Sequence, residues 1–179
     1  MATTVRLTAD DLATLPDDGW RYELIRGELE RMPPDNAGHG NVTQQLLLPL
    51  LPFVHSQRLG TVWVNVGFTL EHDPDTVLGP DVSFVRADRL PVDDRPAFPT
   101  MAPDLAVEIL SPFNRAGEMA RKLVIYLAAG VPLVWFIDKR TRSVAVHTST
   151  GAALLTEGDT LDGGDVLPGF AIPVADLFA

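Results

Sequence analysis

The stretch that most constrains this chain runs from Ala102 to Gly130, APDLAVEILSPFNRAGEMARKLVIYLAAG. It reads as a short apolar strand carrying one carboxylate, a break, and an amphipathic helix carrying one lysine. Glu108 sits among Ala106, Val107, Ile109 and Leu110. An ionised carboxylate in so apolar a run is costly unless a cation meets it. Lys122 on the following helix, a bound metal, or both could be that cation, and which of them it is decides whether the protein is an enzyme.

The neighbouring segments supply a setting for this strand. Strand Leu105–Leu110, helix Asn114–Ala129 and strand Leu133–Asp138 form a β-α-β unit, with Asn114 as N-cap and Gly130 just past the helix end. Upstream, Leu7–Leu15 predicts a short helix capped by Thr8, and Trp20–Met32 predicts a β-hairpin turning at Arg26-Gly27. Pro33–Gly40 reads as loop. Asn41 to about Leu59 reads as a long helix, in which Pro49 and Pro52 predict a kink or an early stop. Thr61–Leu70 reads as one strand, Glu71–Asp75 as a turn, Asp81–Val85 as a further strand and Asp88–Met101 as a surface loop. Arg142–His147 and Ala152–Thr156 predict antiparallel edge strands, and the tail Leu167–Phe178 closes with Pro168-Gly169 and a short VADLF turn.

The length of 179 residues suits one domain, 1–179, with a single sizeable core. Apolar residues make up 46% and charged residues 21%, as in soluble globular chains. The absence of cysteine excludes disulfides, thiolate zinc sites and cysteine nucleophiles. The N-terminus MATTVRLTADDL lacks the pattern of a signal peptide, and no run is apolar enough for a membrane span, so a cytoplasmic location is expected. With 14 basic and 24 acidic residues the formal charge is −10, which repels a phosphate backbone overall. A carboxylate site filled by a divalent cation inverts that charge locally.

Four residues stand out as chemistry-bearing: Glu23 in the hairpin, Asp81 after Pro80, Glu108 and Lys122. Such a set suits metal-assisted phosphodiester hydrolysis. Carboxylates from adjacent strands hold Mg²⁺ or Mn²⁺, the metal acidifies a bound water, and a lysine orients or helps deprotonate it. Each residue also has a plainer reading. Pro-Asp occurs five times, and only Asp81 and Asp104 directly precede apolar strand-like runs; Asp104 reads as a solvated end-of-strand residue. Glu23 could be exposed on its hairpin, and Glu108 could belong to a structural ion pair. Lys122 could pair with Glu118 on the helix surface, although it also borders the stripe of Met119, Leu123 and Tyr126. His39, between two glycines, is either solvated or an accessory group closing over a site. His55, His72 and His147 show no ligand spacing, and no phosphate loop, dinucleotide fingerprint, nucleophile elbow or HExxH pair is present.

Five segments in order, YELIRGE at 22–28, PPDNAGH at 33–39, GPDVSFV at 79–85, PDLAVEILSP at 103–112 and RKLVIYLAAGVPLVWFID at 121–138, resemble the Uma family of bacterial restriction endonucleases. The tail TEGDTLDGGDVLPGFAIPVADLF resembles it too. The resemblance implies an α/β fold of the restriction-endonuclease-like PD-(D/E)xK superfamily, a mixed central β-sheet flanked by helices, here with an N-terminal helix and hairpin. It implies Asp81 and Glu108 as metal-binding acids, Glu23 as an extra acid, a Mg²⁺ or Mn²⁺ cofactor, and DNA as partner. The pattern places its lysine two residues past the second acid, where this chain has Leu110; a lysine migrated to the following helix matches Lys122. The way related nucleases act on two strands implies a homodimer. Two readings follow: a metal-dependent endonuclease, and a non-catalytic binding or assembly protein that keeps the fold with a structural ion-pair network.

Overall fold

A computed structural model describes residues 6–92, 97–111 and 116–179. The expected N-cap Asn114 lies outside the described residues. Helix α1 (Ala9–Ala13) begins with a reciprocal cap: the Thr8 hydroxyl accepts from the Asp11 N–H, and the Asp11 carboxylate accepts from the Thr8 N–H. Strands β1 (Arg21–Ile25) and β2 (Glu28–Met32) pair antiparallel through a two-residue turn. Arg26 and Gly27 both take positive φ, 52° and 78°, as such a hairpin turn requires.

Helix α2 spans Ala37–Gln57, starting earlier than the expected Asn41, so Ala37–Gly40 are helical and not loop. The Asn36 side chain accepts from the His39 N–H and caps the helix ahead of the two glycines. The helix also continues through Pro49 and Pro52. Val42, Leu46, Leu50 and Val54 recur every four residues and are buried in the main core, and that packing outweighs a proline cost of about 3 kcal/mol each.

The single strand expected over Thr61–Leu70 is two. Strand β3 (Gly60–Val64) and strand β4 (Phe68–Glu71) belong to different sheets. Asn65 between them takes a left-handed φ of 56°, and a Cβ on Gly67 would come within 2.8 Å of the Phe98 ring, so the chain can swing from one sheet to the other there. A short strand β5 (Thr76–Leu78), unforeseen from sequence, follows the turn and pairs with both β1 and β4. The four-stranded sheet has the order β2-β1-β5-β4.

Strands β6 (Val82–Arg86), β7 (Leu105–Leu110), β8 (Leu133–Asp138), β9 (Ser143–Thr148) and β10 (Gly151–Thr156) join β3 in a six-stranded sheet of order β10-β9-β8-β7-β6-β3. Among the described residues only β7 and β8 pair in parallel, and helix α3 (Ala116–Ala128) lies between them in the chain, so the predicted β-α-β unit and mixed sheet are present. The edge pair β9–β10 is antiparallel as expected. A further hairpin, β11 (Thr160–Gly163) with β12 (Leu167–Pro173), not foreseen from sequence, precedes the expected VADLF turn, a 3₁₀ turn at Val174–Phe178. No helix among the described residues is long and apolar enough to cross a membrane.

Strand alternation places the site. Leu105, Val107 and Ile109 of β7 enter the core shared with α2, whereas Ala106 enters the core shared with Met119, Ile125 and Tyr126 of α3. Glu108 has the same parity as Ala106. The pleat therefore turns its carboxylate toward α3.

Candidate active site

Beneath α3 the Lys122 ammonium lies 2.9 Å from Glu23 Oε1 and 3.1 Å from Glu108 Oε1. The Tyr126 hydroxyl, one turn further along the helix, donates to the same Glu108 oxygen at 2.6 Å. Glu23, Glu108 and Lys122 are 2%, 6% and 2% exposed. Lys122 is thus a buried cation and not half of a surface pair, and Glu23 is not exposed on its hairpin. The remaining oxygen of Glu23, Oε2, has no hydrogen-bond partner among the described residues. Arg121 pairs with Glu30 of β2 and ties α3 to the hairpin that carries Glu23.

Two carboxylates share this one lysine, and burial sets the consequence. Desolvation pushes the Glu108 carboxyl up to about 7 despite the adjacent ammonium, with the negative charges of Asp81 and Glu23 adding to the rise. Lys122 is held well above its usual range: burial opposes its charge, but Glu108 and Glu23 outweigh that penalty. Tyr126 is raised by burial and by Glu108, so its hydroxyl keeps its proton and donates.

Asp81 sits at the entrance to β6, beside Glu108. Its Oδ2 accepts from the Ile109 N–H at 2.7 Å, which locks it to the residue after Glu108. The preceding loop is pinned at Gly79, whose N–H donates to Glu23 Oε1 and whose carbonyl accepts from Arg21. His39 Nε2 lies 3.0 Å from Asp81 Oδ2, and Arg21 Nη1 lies 3.0 Å from Asp81 Oδ1. Burial works against the Asp81 charge, yet His39, the Ile109 N–H and Arg21 hold its carboxyl below the ordinary aspartate value. The reciprocal effect lifts His39: desolvation disfavours its charge, while Asp81 and Asp35 more than offset it.

Asp35 completes the arrangement at the foot of α2. Asp35, His39 and Asp81 present ligand atoms within 4.8 Å of one another and could hold a metal ion. Two carboxylate oxygens and an imidazole nitrogen are donors suited to Mn²⁺ and, through the carboxylates, to Mg²⁺. Asp35, His39, Asp81, Glu108 and Lys122 all line one cleft of about 290 Å³. Four of the five sequence candidates, Asp81, Glu108, Lys122 and His39, therefore face it together. Glu23 lies behind it and reaches the cluster through Lys122.

Asp35, Arg21 and Tyr126 were not singled out from sequence. Asp35 is one of the five Pro-Asp aspartates, and its only distinguishing mark is a position four residues before His39. Tyr126 stands one turn beyond Lys122 on the predicted stripe. Nothing in the sequence marks Arg21. Asp104, expected to be solvated, is buried: it accepts from the Arg86 N–H at 2.9 Å and from Arg89 Nη1 at 2.6 Å, away from the cleft.

A mixed sheet with flanking helices is an α/β fold that this chain shares with a solved structure. A crystal structure described as a putative nuclease belonging to DUF820 from Anabaena variabilis is similar in fold, with a TM-score of 0.84 and 21% identity over 96% of this chain and 97% of that one. The chain belongs to the Uma2 family, described as "Putative restriction endonuclease", which it matches over residues 9–175. No curated protein matches it.

Proposed function

We propose that this single-domain chain is a divalent-metal-dependent endonuclease that hydrolyses phosphodiester bonds of DNA. The observation that carries the reading is the cleft in which Asp81 and Glu108 meet Asp35, His39 and Lys122. Family membership supports the reaction class. The donor set supports a cation: Asp35, His39 and Asp81 present ligand atoms within 4.8 Å of one another, beside a Glu108 carboxyl that burial, with the charges of Asp81 and Glu23 adding to it, pushes up to about 7.

Asp81 and Glu108, joined by Asp35 and His39, would hold Mg²⁺ or Mn²⁺. Such an ion acidifies a bound water and neutralises charge on the phosphoryl oxygens. The Ile109 N–H keeps Asp81 aimed at the cleft. Lys122, held protonated, is unsuited to remove a proton; it supplies a fixed positive charge and keeps the Glu108 carboxylate in place. Tyr126 fixes the same carboxylate from the helix side, and Glu23 holds Lys122 from behind. A homodimer would bring two such clefts to the two strands of a duplex.

A second reading has its own support. The charges in the cluster are already paired with one another without a metal, and the chain carries a formal charge of −10. A binding or assembly protein that uses the cluster to join its sheets would look the same. Two measurements separate the readings. Titration with MnCl₂ should raise the melting temperature of the wild type and leave Asp81→Ala unmoved. Plasmid and single-stranded DNA should be cut in Mg²⁺ or Mn²⁺ by the wild type and not by Asp81→Ala or Glu108→Gln. Metal binding with no cleavage would establish the binding reading, and no metal response would remove the metal centre altogether.

A further inference from the structure

The Arg21 guanidinium stands between the two acids best placed to hold a cation. Its Nη1 lies 3.0 and 3.1 Å from the oxygens of Asp35 and 3.0 Å from Asp81 Oδ1, and its Nη2 donates to the Gly79 carbonyl at 3.2 Å. Asp35 and Asp81 are the same carboxylates that converge with His39. A positive group already occupies directions in which these acids would reach for a metal.

Arg21 differs from the other cation of the cluster in its freedom to move. Lys122 is enclosed, whereas the Arg21 side chain is 26% exposed and lines the open cleft. It opens β1, so its backbone is fixed while its long side chain can turn toward the cleft mouth. A guanidinium is matched to carboxylates and phosphates alike, presenting several N–H donors in one plane.

We infer that Arg21 is a resident counter-ion that an entering divalent cation displaces, and that the released guanidinium then binds a phosphate of the nucleic-acid backbone in the same cleft. The inference rests on the metal-dependent reading proposed above. In the metal-free protein Arg21 neutralises Asp35 and Asp81 and keeps them converged. The metal takes over that neutralisation. The arginine then offers its donors to the anionic substrate that the ion attracts, so one side chain guards the acids in one state and binds substrate in the other.

Calorimetric titration of the full chain with MnCl₂ tests the first half. Arg21→Met removes the competing charge and should tighten Mn²⁺ binding about tenfold, the equivalent of one charge-assisted hydrogen bond. Arg21→Lys, which keeps a charge but loses the planar fork, should fall between the two. Equal or weaker Mn²⁺ binding in folded Arg21→Met overturns the inference while leaving the metal centre standing, whereas no Mn²⁺ binding in either wild type or variant overturns both. The second half is read by fluorescence anisotropy of a labelled DNA duplex in Ca²⁺. Binding should weaken about tenfold or more in Arg21→Met although the metal binds more tightly. Unchanged DNA affinity in that variant overturns the substrate role. Should Arg21→Met unfold, Arg21→Lys carries both measurements, and an Mn²⁺ affinity equal to wild type in it counts against displacement.

Discussion

Removing the Lys122 charge tests whether the buried cluster is held as its geometry suggests. In Lys122→Met the methylene stem is kept and the ammonium is lost. Among the described residues, Glu108 Oε1 then retains the Tyr126 hydroxyl and Glu23 Oε1 the Gly79 N–H, with Glu23 Oε2 still without a donor. Removing one partner of a buried ion pair costs about 3–5 kcal/mol, because the abandoned charge must stay desolvated or take up a proton. For a chain of this length that corresponds to a fall in melting temperature on the order of 10 °C. The cost should arise from the abandoned acids and not from lost packing. Adding Glu23→Gln and Glu108→Gln to Lys122→Met should therefore recover most of the lost stability, since neutral amides need no counter-ion. Urea unfolding of wild type, single and triple variants reads both effects. A Lys122→Met protein within about 1 kcal/mol of wild type, or a triple variant as unstable as the single, would refute the reasoning.

Two further outcomes follow from the same charges. Glu108 has a folded-state pKa of about 7 against 4.5 when free, so its contribution to stability is full below about 4.5 and is lost as the pH rises through 7. At about 1.4 kcal/mol per pH unit, wild type should lose on the order of 3 kcal/mol relative to Glu108→Gln across that window, and parallel stability profiles of the two proteins would contradict the shift. Asp104→Ala strips acceptors from the Arg86 N–H and from Arg89, whose guanidinium is partly open to solvent, and should cost about 1–2 kcal/mol in urea unfolding, yet it leaves the Mn²⁺-induced rise in melting temperature intact because Asp104 lies outside the cleft; loss of that rise would tie Asp104 to the site.

The residues most visible in the sequence were those that break a local pattern. Glu108 interrupts an apolar strand, and an acid there demands a cation whatever the fold, so the strand, its helix and Lys122 were legible together. Asp81 became visible through its place before the run of β6. Asp35 and Arg21 break no pattern: one lies in a proline-rich loop and the other opens a hairpin, and only tertiary folding brings them to Asp81. The same limit applies to the backbone. Thr61–Leu70 is β-branched and aromatic on both sides of Asn65, so its composition does not reveal that its halves join different sheets. Asn36 caps α2 across a segment whose glycines and prolines otherwise read as loop, and the buried leucines of that helix override two internal prolines.

Glu23 comes from the four-stranded sheet, Glu108 from the six-stranded sheet and Lys122 from the helix that follows, with Glu23 and Lys122 standing 99 positions apart in the chain. The cluster consequently has an order of assembly. A chain released from the ribosome only as far as β7 already carries Glu23, Asp35, His39, Asp81 and Glu108, but neither the lysine that reconciles two of them nor the tyrosine that aims one. Only when α3 emerges can Glu23 and Glu108 share a cation, so Lys122 fastens an acid of the four-stranded sheet to one of the six-stranded sheet as the last step in completing the cleft.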